Sequence, residues 1–374
     1  MAVELVGATI LKPAPLPLPE SNNNLVVPLT VFDRAAFNLH VPSLYAFLPP
    51  TPSNSTLKSG LSRILHHFPH LAGRIISDGH LRPCIALDNS GVRLLETNVS
   101  ASLSEMLPLE DADNLDELHP AVGDGVEELL QIQLNRYSCV GSRPCLLQIF
   151  AELTCTVTNL KVHFSANFIT ELKSQVPGGC STFEVLLAHL WRKISSARGL
   201  RATEETKVRV AVNGRARLNS LPNIPMEHYF GNLVLWAHPK LTVGDLIPAG
   251  GRGGLSAAVR IIHEAVGKID DGYFRSFIDF GKLEEGKEGE LVAAAPAPEN
   301  VLYPNLEVDS WLRFRFHELD FGSGGPCAFM PPNLPVEGLM LFVPSMKETG
   351  GVDVFMALAA EHVQGFKKIC YSLD

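Results

Sequence analysis

Histidine and cysteine are the side chains that move protons, bind metals and attack carbonyls near neutral pH, and this chain of 374 residues carries 13 of the first and seven of the second. His66, His67 and His70 cluster at the end of a predicted helix. Adjacent residues on a helix point about 100° apart, so His66 and His67 cannot face one ion, and the three are read as solvated or capping residues. The cysteines (Cys84, Cys139, Cys145, Cys155, Cys180, Cys327, Cys370) contain no C-x-x-C pair and no nearby His at ligand spacing. No metal site is expected, and they are read as reduced thiols that fill the core. Cys180 differs in preceding a predicted helix N-terminus, where the backbone dipole favours a thiolate. His189, on the flank of that helix, is expected to be packed and hydrogen-bonded rather than to serve as a base. There is no G-x-x-x-x-G-K-S/T, no H-E-x-x-H and no G-x-S-x-G, so phosphate-loop, zinc-protease and serine-hydrolase chemistry find no support. Asp320-Phe321-Gly322 copies the metal-binding triplet of protein kinases without their Gly-rich loop or H-R-D.

One charge feature survives this filter. Between Arg192 and Arg217 stand eight basic residues (Arg192, Lys193, Arg198, Arg201, Lys207, Arg209, Arg215, Arg217) against two acids, Glu204 and Glu205. Its structural reading is a solvated basic face; its functional reading is an electrostatic funnel for a phosphorylated ligand such as coenzyme A. The chain as a whole is acidic, with 31 Lys+Arg, 40 Asp+Glu and a formal charge of -9, which argues against non-specific binding to nucleic acid or anionic membrane. No stretch approaches the roughly 18 apolar residues of a membrane span, and Met1-Ala2-Val3-Glu4 lacks the basic start of a secretory signal, so a cytoplasmic location is expected.

The elements that must position these residues follow from periodicity. The Pro-rich Leu11 to Pro19 is an extended arm leading to a strand over Leu25 to Val31. Leu61, Ile64, Leu65 and Phe68 share one helical face, and Pro69 stops that helix. Leu130, Ile132 and Leu134 alternate with Gln131, Gln133 and Asn135, the pattern of a half-buried strand. Ser142 to Asn159 shows no clear period. Strands are expected at Lys161 to Phe164, Val208 to Val212, Asn232 to Ala237, Gly338 to Val343 and Val352 to Met356. Ser165 is expected to cap a short helix through Lys173, and Ser181-Thr182-Phe183-Glu184 fits a capping box opening a long apolar-faced helix that Gly199 ends. Pro248 to Gly254 and Ala293 to Asn300 read as surface loops, and a last helix spans about Ala359 to Ile369. Interleaved strands and helices in both halves make the class α/β.

Several of these stretches resemble the BAHD acyl-CoA-dependent acyltransferases of plants. Leu57 to Leu65 with Phe68-Pro69 and Leu71-Ala72-Gly73-Arg74 is similar to that family's first core helix and its exit. Ser181 to Lys193 resembles its interdomain helix, Val212-Asn213-Gly214-Arg215 its V-D-x-R, and Tyr229-Phe230-Gly231-Asn232 its Y-x-G-N. Asp309 to Arg313, leading to Asp320-Phe321-Gly322-Ser323-Gly324, resembles the stretch that ends in D-F-G-W-G. Asp271 to Phe277, Pro335-Val336-Glu337-Gly338 and Cys370-Tyr371-Ser372-Leu373-Asp374 resemble the branch that transfers hydroxycinnamoyl groups to agmatine or tryptamine. The resemblance implies two chloramphenicol-acetyltransferase-like domains with mixed sheets flanked by helices, here with a truncated N-terminal domain. The expected division is an incomplete domain over 1–141, an atypical connector over 142–159 and a second domain over 160–374. It implies an aromatic acyl-CoA donor, an amine acceptor, a monomer and no cofactor beyond the coenzyme A thioester. It places Ser181, Thr182, Arg192, Arg215 and Arg217 as candidates for binding coenzyme A or substrate, and Asp320, Phe321, Gly322 and Gly324 in a structural turn.

The family's base is the histidine of H-x-x-x-D, and none of the 13 histidines here has an aspartate four residues on. That motif belongs just after the strand ending near Gly141, where the resemblance breaks, so no catalytic residue is assigned. His163 is the histidine nearest the gap in sequence and reads as a strand-end residue. In the family the aspartate of H-x-x-x-D pairs with the arginine of V-D-x-R; with the motif missing, and Asn213 standing where V-D-x-R has aspartate, Arg215 is left without its expected carboxylate and is expected to turn to solvent or find another acid.

Overall fold

The computed structural model describes residues 2–15, 25–36, 40–79, 82–106, 116–120, 126–137, 145–148, 157–218, 226–250, 253–284, 302–322, 324–331 and 333–374. The chain divides into two compact units, one of residues 1–29, 38–153 and 315–333, the other of 30–37, 154–314 and 334–374. The contiguous division expected at 141 and 160 is therefore corrected. Residues 30–37 belong with the second unit, and residues 315–333 join the first because their strand hydrogen-bonds into its sheet.

The first unit holds a six-stranded mixed sheet in the order β1 (Val3–Leu11), β6 (Val92–Val99), β7 (Gln131–Tyr137), β8 (Cys145–Gln148), β3 (Leu44–Phe47), β14 (Ala328–Met330). The β6–β7 pair is parallel and the remaining pairs are antiparallel. A three-stranded sheet adds β2 (Leu25–Pro28), β5 (Pro83–Leu87) and β4 (Arg74–Ser77). Helix α2 (Asn54–His67) starts at Ser53, whose Oγ accepts from the Thr56 amide, and ends before Pro69 as expected. A short helix, α3 (Leu103–Met106), follows β6. Leu11 ends a strand rather than opening an arm, because β1 gains a full antiparallel ladder from β6 that no local signal announces.

Strand β7 also departs from expectation. Gln131, Gln133 and Asn135 are buried along with Ile132 and Leu134, so both faces are covered. A local network makes burial of two of the amides tolerable: Gln133 donates to the Glu117 carbonyl at 2.9 Å, and Asn135 donates to the Leu118 carbonyl at 2.6 Å while accepting from Thr97 Oγ1 at 2.6 Å. These bonds tie residues 117–118 to the sheet.

Cys145–Gln148, within the stretch that shows no period, lies between β7 and β3 and pairs with both, Leu147 opposite Asn135 on one side and Ala46 on the other. Both neighbours thereby keep their hydrogen-bond partners.

The second unit is a mixed sheet in the order β11 (Val234–Ala237), β10 (Glu205–Asn213), β13 (Leu306–Ser310), β15 (Leu339–Pro344), β16 (Val352–Leu358), β9 (Thr158–Phe164), with β12 (Lys240–Thr242) also on β10. The β10–β13–β15 run is parallel and its flanks are antiparallel. Its helices are α1 (Val31–Arg34), α4 (Ala166–Ser174), α5 (Thr182–Ala197), α6 (Val243–Leu246), α7 (Gly254–Gly267), α8 (Asp271–Glu284) and α9 (Ala360–Ile369). Helix α5 lies against α4, α7 and α9, and its stretch Val185 to Ser195 is buried throughout, with Trp191 fully enclosed. A helix buried on every side belongs inside a core, not on a surface.

The strand expected over Leu25 to Val31 stops at Pro28, and helix α1 begins at Val31. Thr30 and Asp33 form a capping box, with Thr30 Oγ1 accepting from the Asp33 amide at 3.2 Å and Asp33 Oδ2 accepting from the Thr30 amide at 3.0 Å. Gly254, expected in a loop, begins α7, and Ala293 to Asn300 lies outside the described residues.

Candidate functional site

At the start of α5, Ser181 Oγ accepts from the Glu184 amide at 3.2 Å and Glu184 Oε2 accepts from the Ser181 amide at 2.8 Å, which completes the expected capping box. The other Glu184 oxygen meets His263 Nδ1 of α7 at 2.7 Å. Thr182 is the first helical residue and is half-buried. Cys180 does not become a thiolate here: desolvation, and then the negative charge of Glu184, raise its pKa, and these outweigh the pull of Lys173.

The basic run is not gathered into one patch. Arg192 is buried ten residues along α5 from Thr182, about 15 Å by helical rise, and donates through Nε to the Leu246 carbonyl at 3.2 Å. Arg198 is bound through Nε and Nη2 by Glu337, Arg201 pairs with Glu204 at 3.1 Å, and Arg209 pairs with Glu307 at 3.1 Å beneath the Trp236 ring at 3.8 Å. Lys193 turns to Ser372 and Asp374. The funnel drawn from the density of basic residues is corrected accordingly: a strand and a helix send neighbouring basic residues in different directions, and most are consumed locally.

Arg215 is half-buried, and among the described residues it has no carboxylate partner. Its guanidinium donates to the Tyr229 carbonyl at 3.1 Å and the Gly231 carbonyl at 2.7 Å and lies by the Tyr229 ring, so backbone carbonyls of Y-x-G-N take the place of the missing motif's carboxylate. Asn213 Oδ1 instead accepts from the Arg215 amide at 3.0 Å. Between them Gly214 has no room for a side chain, since a Cβ would lie 2.5 Å from the Phe274 ring. Arg217, half-buried, closes this turn through its amide to the Gly214 carbonyl at 2.9 Å. Asn232 is held in turn by Asp33, whose Oδ1 accepts from the Asn232 amide at 3.1 Å and from Nδ2 at 3.0 Å. Periodicity alone misses this link, although the T-x-x-D spacing of the α1 capping box is a signal that marks its beginning.

In the first unit, Asp320 Oδ1 accepts from the amides of Gly322 at 2.7 Å and Gly324 at 2.9 Å, and Phe321 packs edge-on against Phe47. Both glycines have positive φ, so the side chain of Asp320 closes a turn that needs them. The D-F-G triplet is thus a turn and not a metal site. Among the described residues no group of three or more His, Cys, Asp or Glu is placed to hold a metal, and no described helix is long and apolar enough to cross a membrane.

Two histidines stand nearest to the role of a base, and both are engaged elsewhere. His163 is the penultimate residue of β9, with Nδ1 2.7 Å from the buried Asp353 and Nε2 3.7 Å from Glu348, whose Oε1 also accepts from the Ala166 amide. It is a strut joining β9, β16 and the start of α4. His189 is fully buried and donates from Nε2 to the Cys370 carbonyl at 2.7 Å, and burial pushes its pKa down to about 4 from the usual 6.5. Between these values the unfolded chain takes up a proton that the folded chain refuses, so stability falls as pH drops through the window. The expected loss is about 3 kcal/mol. Urea midpoints measured from pH 7 to 4 should fall more steeply for the native chain than for His189→Asn; matching slopes would refute the assignment.

Solved structures share this architecture. Vinorine synthase superposes with a TM-score of 0.71 at 19% identity over 97% of this chain and 96% of its own. An F. sporotrichioides protein crystallised with coenzyme A and T-2 gives 0.72 at 18% identity over 92% and 97%. The fold is that of two-domain acyltransferases. The chain belongs to the Transferase family, the BAHD acyltransferases, whose profile matches residues 1–142 and 157–373. Similar relatives are tryptamine hydroxycinnamoyltransferase 2 of Oryza sativa subsp. japonica, 39% identical over all of both chains, and agmatine coumaroyltransferase-1 of Hordeum vulgare, 36% identical over 93% of this chain and 94% of its own. The rice alignment spans 442 positions for a chain of 374 residues, so several dozen positions of that relative have no counterpart here. The family match lapses just where the H-x-x-x-D motif is expected.

Proposed function

We propose that this chain is, by descent, a transferase of hydroxycinnamoyl groups from coenzyme A to an amine such as agmatine or tryptamine, and that it turns over weakly or not at all. The observation that carries the second half is the absence of any histidine four residues ahead of an aspartate. Amine attack on a thioester needs a base near the nucleophile and donors for the developing oxyanion, and loss of a positioned base alone removes about 10²–10⁴ of rate. His163 and His189 both serve structural bonds and offer no replacement.

What remains of the site is the start of α5. Ser181 and Thr182 are proposed to contact the coenzyme A thioester there, with Arg217 the remaining candidate for its phosphates. Purified protein given feruloyl-CoA and agmatine or tryptamine should release free coenzyme A no faster than the buffer control; ready turnover would overturn the claim.

A second reading is favoured by β8. A simple deletion would leave β7 and β3 with unpaired edges, a fault that exposes sheet to aggregation. Here Cys145–Gln148 pairs with both. The chain is therefore also read as a folded, non-catalytic protein that binds acyl-CoA or a partner, rather than as an incomplete product. Calorimetry with coenzyme A separates the readings, since absence of heat at millimolar ligand removes the binding role.

A further inference from the structure

We propose that residues 370–374 form a strap that locks α5 to β9, with the buried ammonium of Lys193 as its keeper. Three contacts hold it at separate points. His189 of α5 donates to the Cys370 carbonyl at 2.7 Å. Tyr371 donates its hydroxyl to the His163 carbonyl of β9 at 3.0 Å, and its ring stands edge-on to Phe168 with centroids 5.9 Å apart. Lys193 Nζ donates to Ser372 Oγ at 2.7 Å, to the Asp374 carbonyl at 2.9 Å and to Asp374 Oδ1 at 3.1 Å.

An ammonium has three protons, and all three are given to the strap. Among the described residues Lys193 has no other hydrogen-bond or ion-pair partner. The pair is also unequal: the Lys193 side chain is 7% exposed, while that of Asp374 is 86% exposed. Asp374 loses little by swinging into water, whereas Lys193 would be left as a charge inside the protein without a partner. The force closing the strap therefore comes from the lysine, since an uncompensated buried charge is far more costly than an exposed one. Residue 193 lies on the helix whose first turn follows Ser181 and begins with Thr182, so a closed strap also fixes the lengthwise seat of that helix.

The lysine-keeper idea makes non-additivity its signature. Ser372→Ala with Asp374→Ala should lower the thermal midpoint by at least about 5 °C, because the buried ammonium loses two of its three acceptors, the carboxylate among them, and keeps only the main-chain oxygen of residue 374. Adding Lys193→Met, which removes the charge and keeps the length, should restore most of that loss. A tail variant as stable as the native chain, or a methionine whose own loss adds to that of the tail, overturns the proposal. Hydrogen exchange gives a readout that needs only the folded Lys193→Met protein: the Ser372 amide, which donates to the Ile369 carbonyl at 3.0 Å, should exchange at least about tenfold faster than in the native chain, and an unchanged rate overturns the strap.

Discussion

Replacing residues 143–156 with the stretch of rice tryptamine hydroxycinnamoyltransferase 2 that aligns there should raise the release of coenzyme A from feruloyl-CoA and tryptamine by about 10² or more above the native chain. The expectation rests on what survives. The family match covers residues 1–142 and resumes at 157, so the graft meets family sequence on both sides. Arg215, the partner of the motif's aspartate in the family, remains at the end of β10, although it is now held by the carbonyls of Tyr229 and Gly231. Its return to a carboxylate would need only a change of hydrogen-bond partner, and Asn213→Asp is the natural second change to combine with the graft. The graft removes β8, which occupies the sheet position between β7 and β3, so the incoming stretch must itself supply the strand that pairs with both. A grafted protein that folds, binds coenzyme A and still fails to turn over would show that loss of the motif is not what silences this chain.

The second large effect is on stability. Glu337→Ala is expected to destabilise the second unit by about 3–5 kcal/mol, because it strands the guanidinium of Arg198, whose side chain has no exposure. Arg198 Nη2 meets both Glu337 oxygens at 2.7 Å, and Nη1 donates to the carbonyls of Pro304 at 3.0 Å and Asn305 at 3.2 Å. One cation thus ties the end of α5 to two loops distant in sequence. The carbonyls cannot neutralise the charge once the carboxylate is gone. Replacing both partners by Met should cost much less than Glu337→Ala alone, since no charge then remains to be desolvated. The readout is selective: the chain has three tryptophans, Trp191, Trp236 and Trp311, and all lie in the second unit, so urea unfolding followed by indole fluorescence reports that unit. A loss below about 1 kcal/mol would place this pair among weak surface bridges and defeat the prediction.

Elements whose signals are local are legible in the chain of residues alone. Ser165 and Ser181 each cap a helix where the residues call for one, and the apolar face of α5 follows from its spacing. A cap involves atoms three residues apart, so the chain states it in one place. The missing base is legible for the same reason, being a matter of which residue follows a histidine. Helix α7 is not, although it is regular, because no side-chain cap marks its start; α8 carries a local cap, Asp270 Oδ1 accepting from the Tyr273 amide at 2.9 Å, but no apolar period announces its length.

Pairings between distant residues are decided only by folding. Nothing near Arg215 says that the carbonyls of Tyr229 and Gly231 will receive it, and nothing near Lys193 names Ser372 and Asp374. The density of basic residues from Arg192 to Arg217 suggests a single field, but a helix and a strand separate consecutive side chains by direction, and burial then forces each to its nearest acceptor. Composition can state how many charges a chain carries; where each one is neutralised depends on which backbone carbonyls and carboxylates the tertiary fold brings within reach.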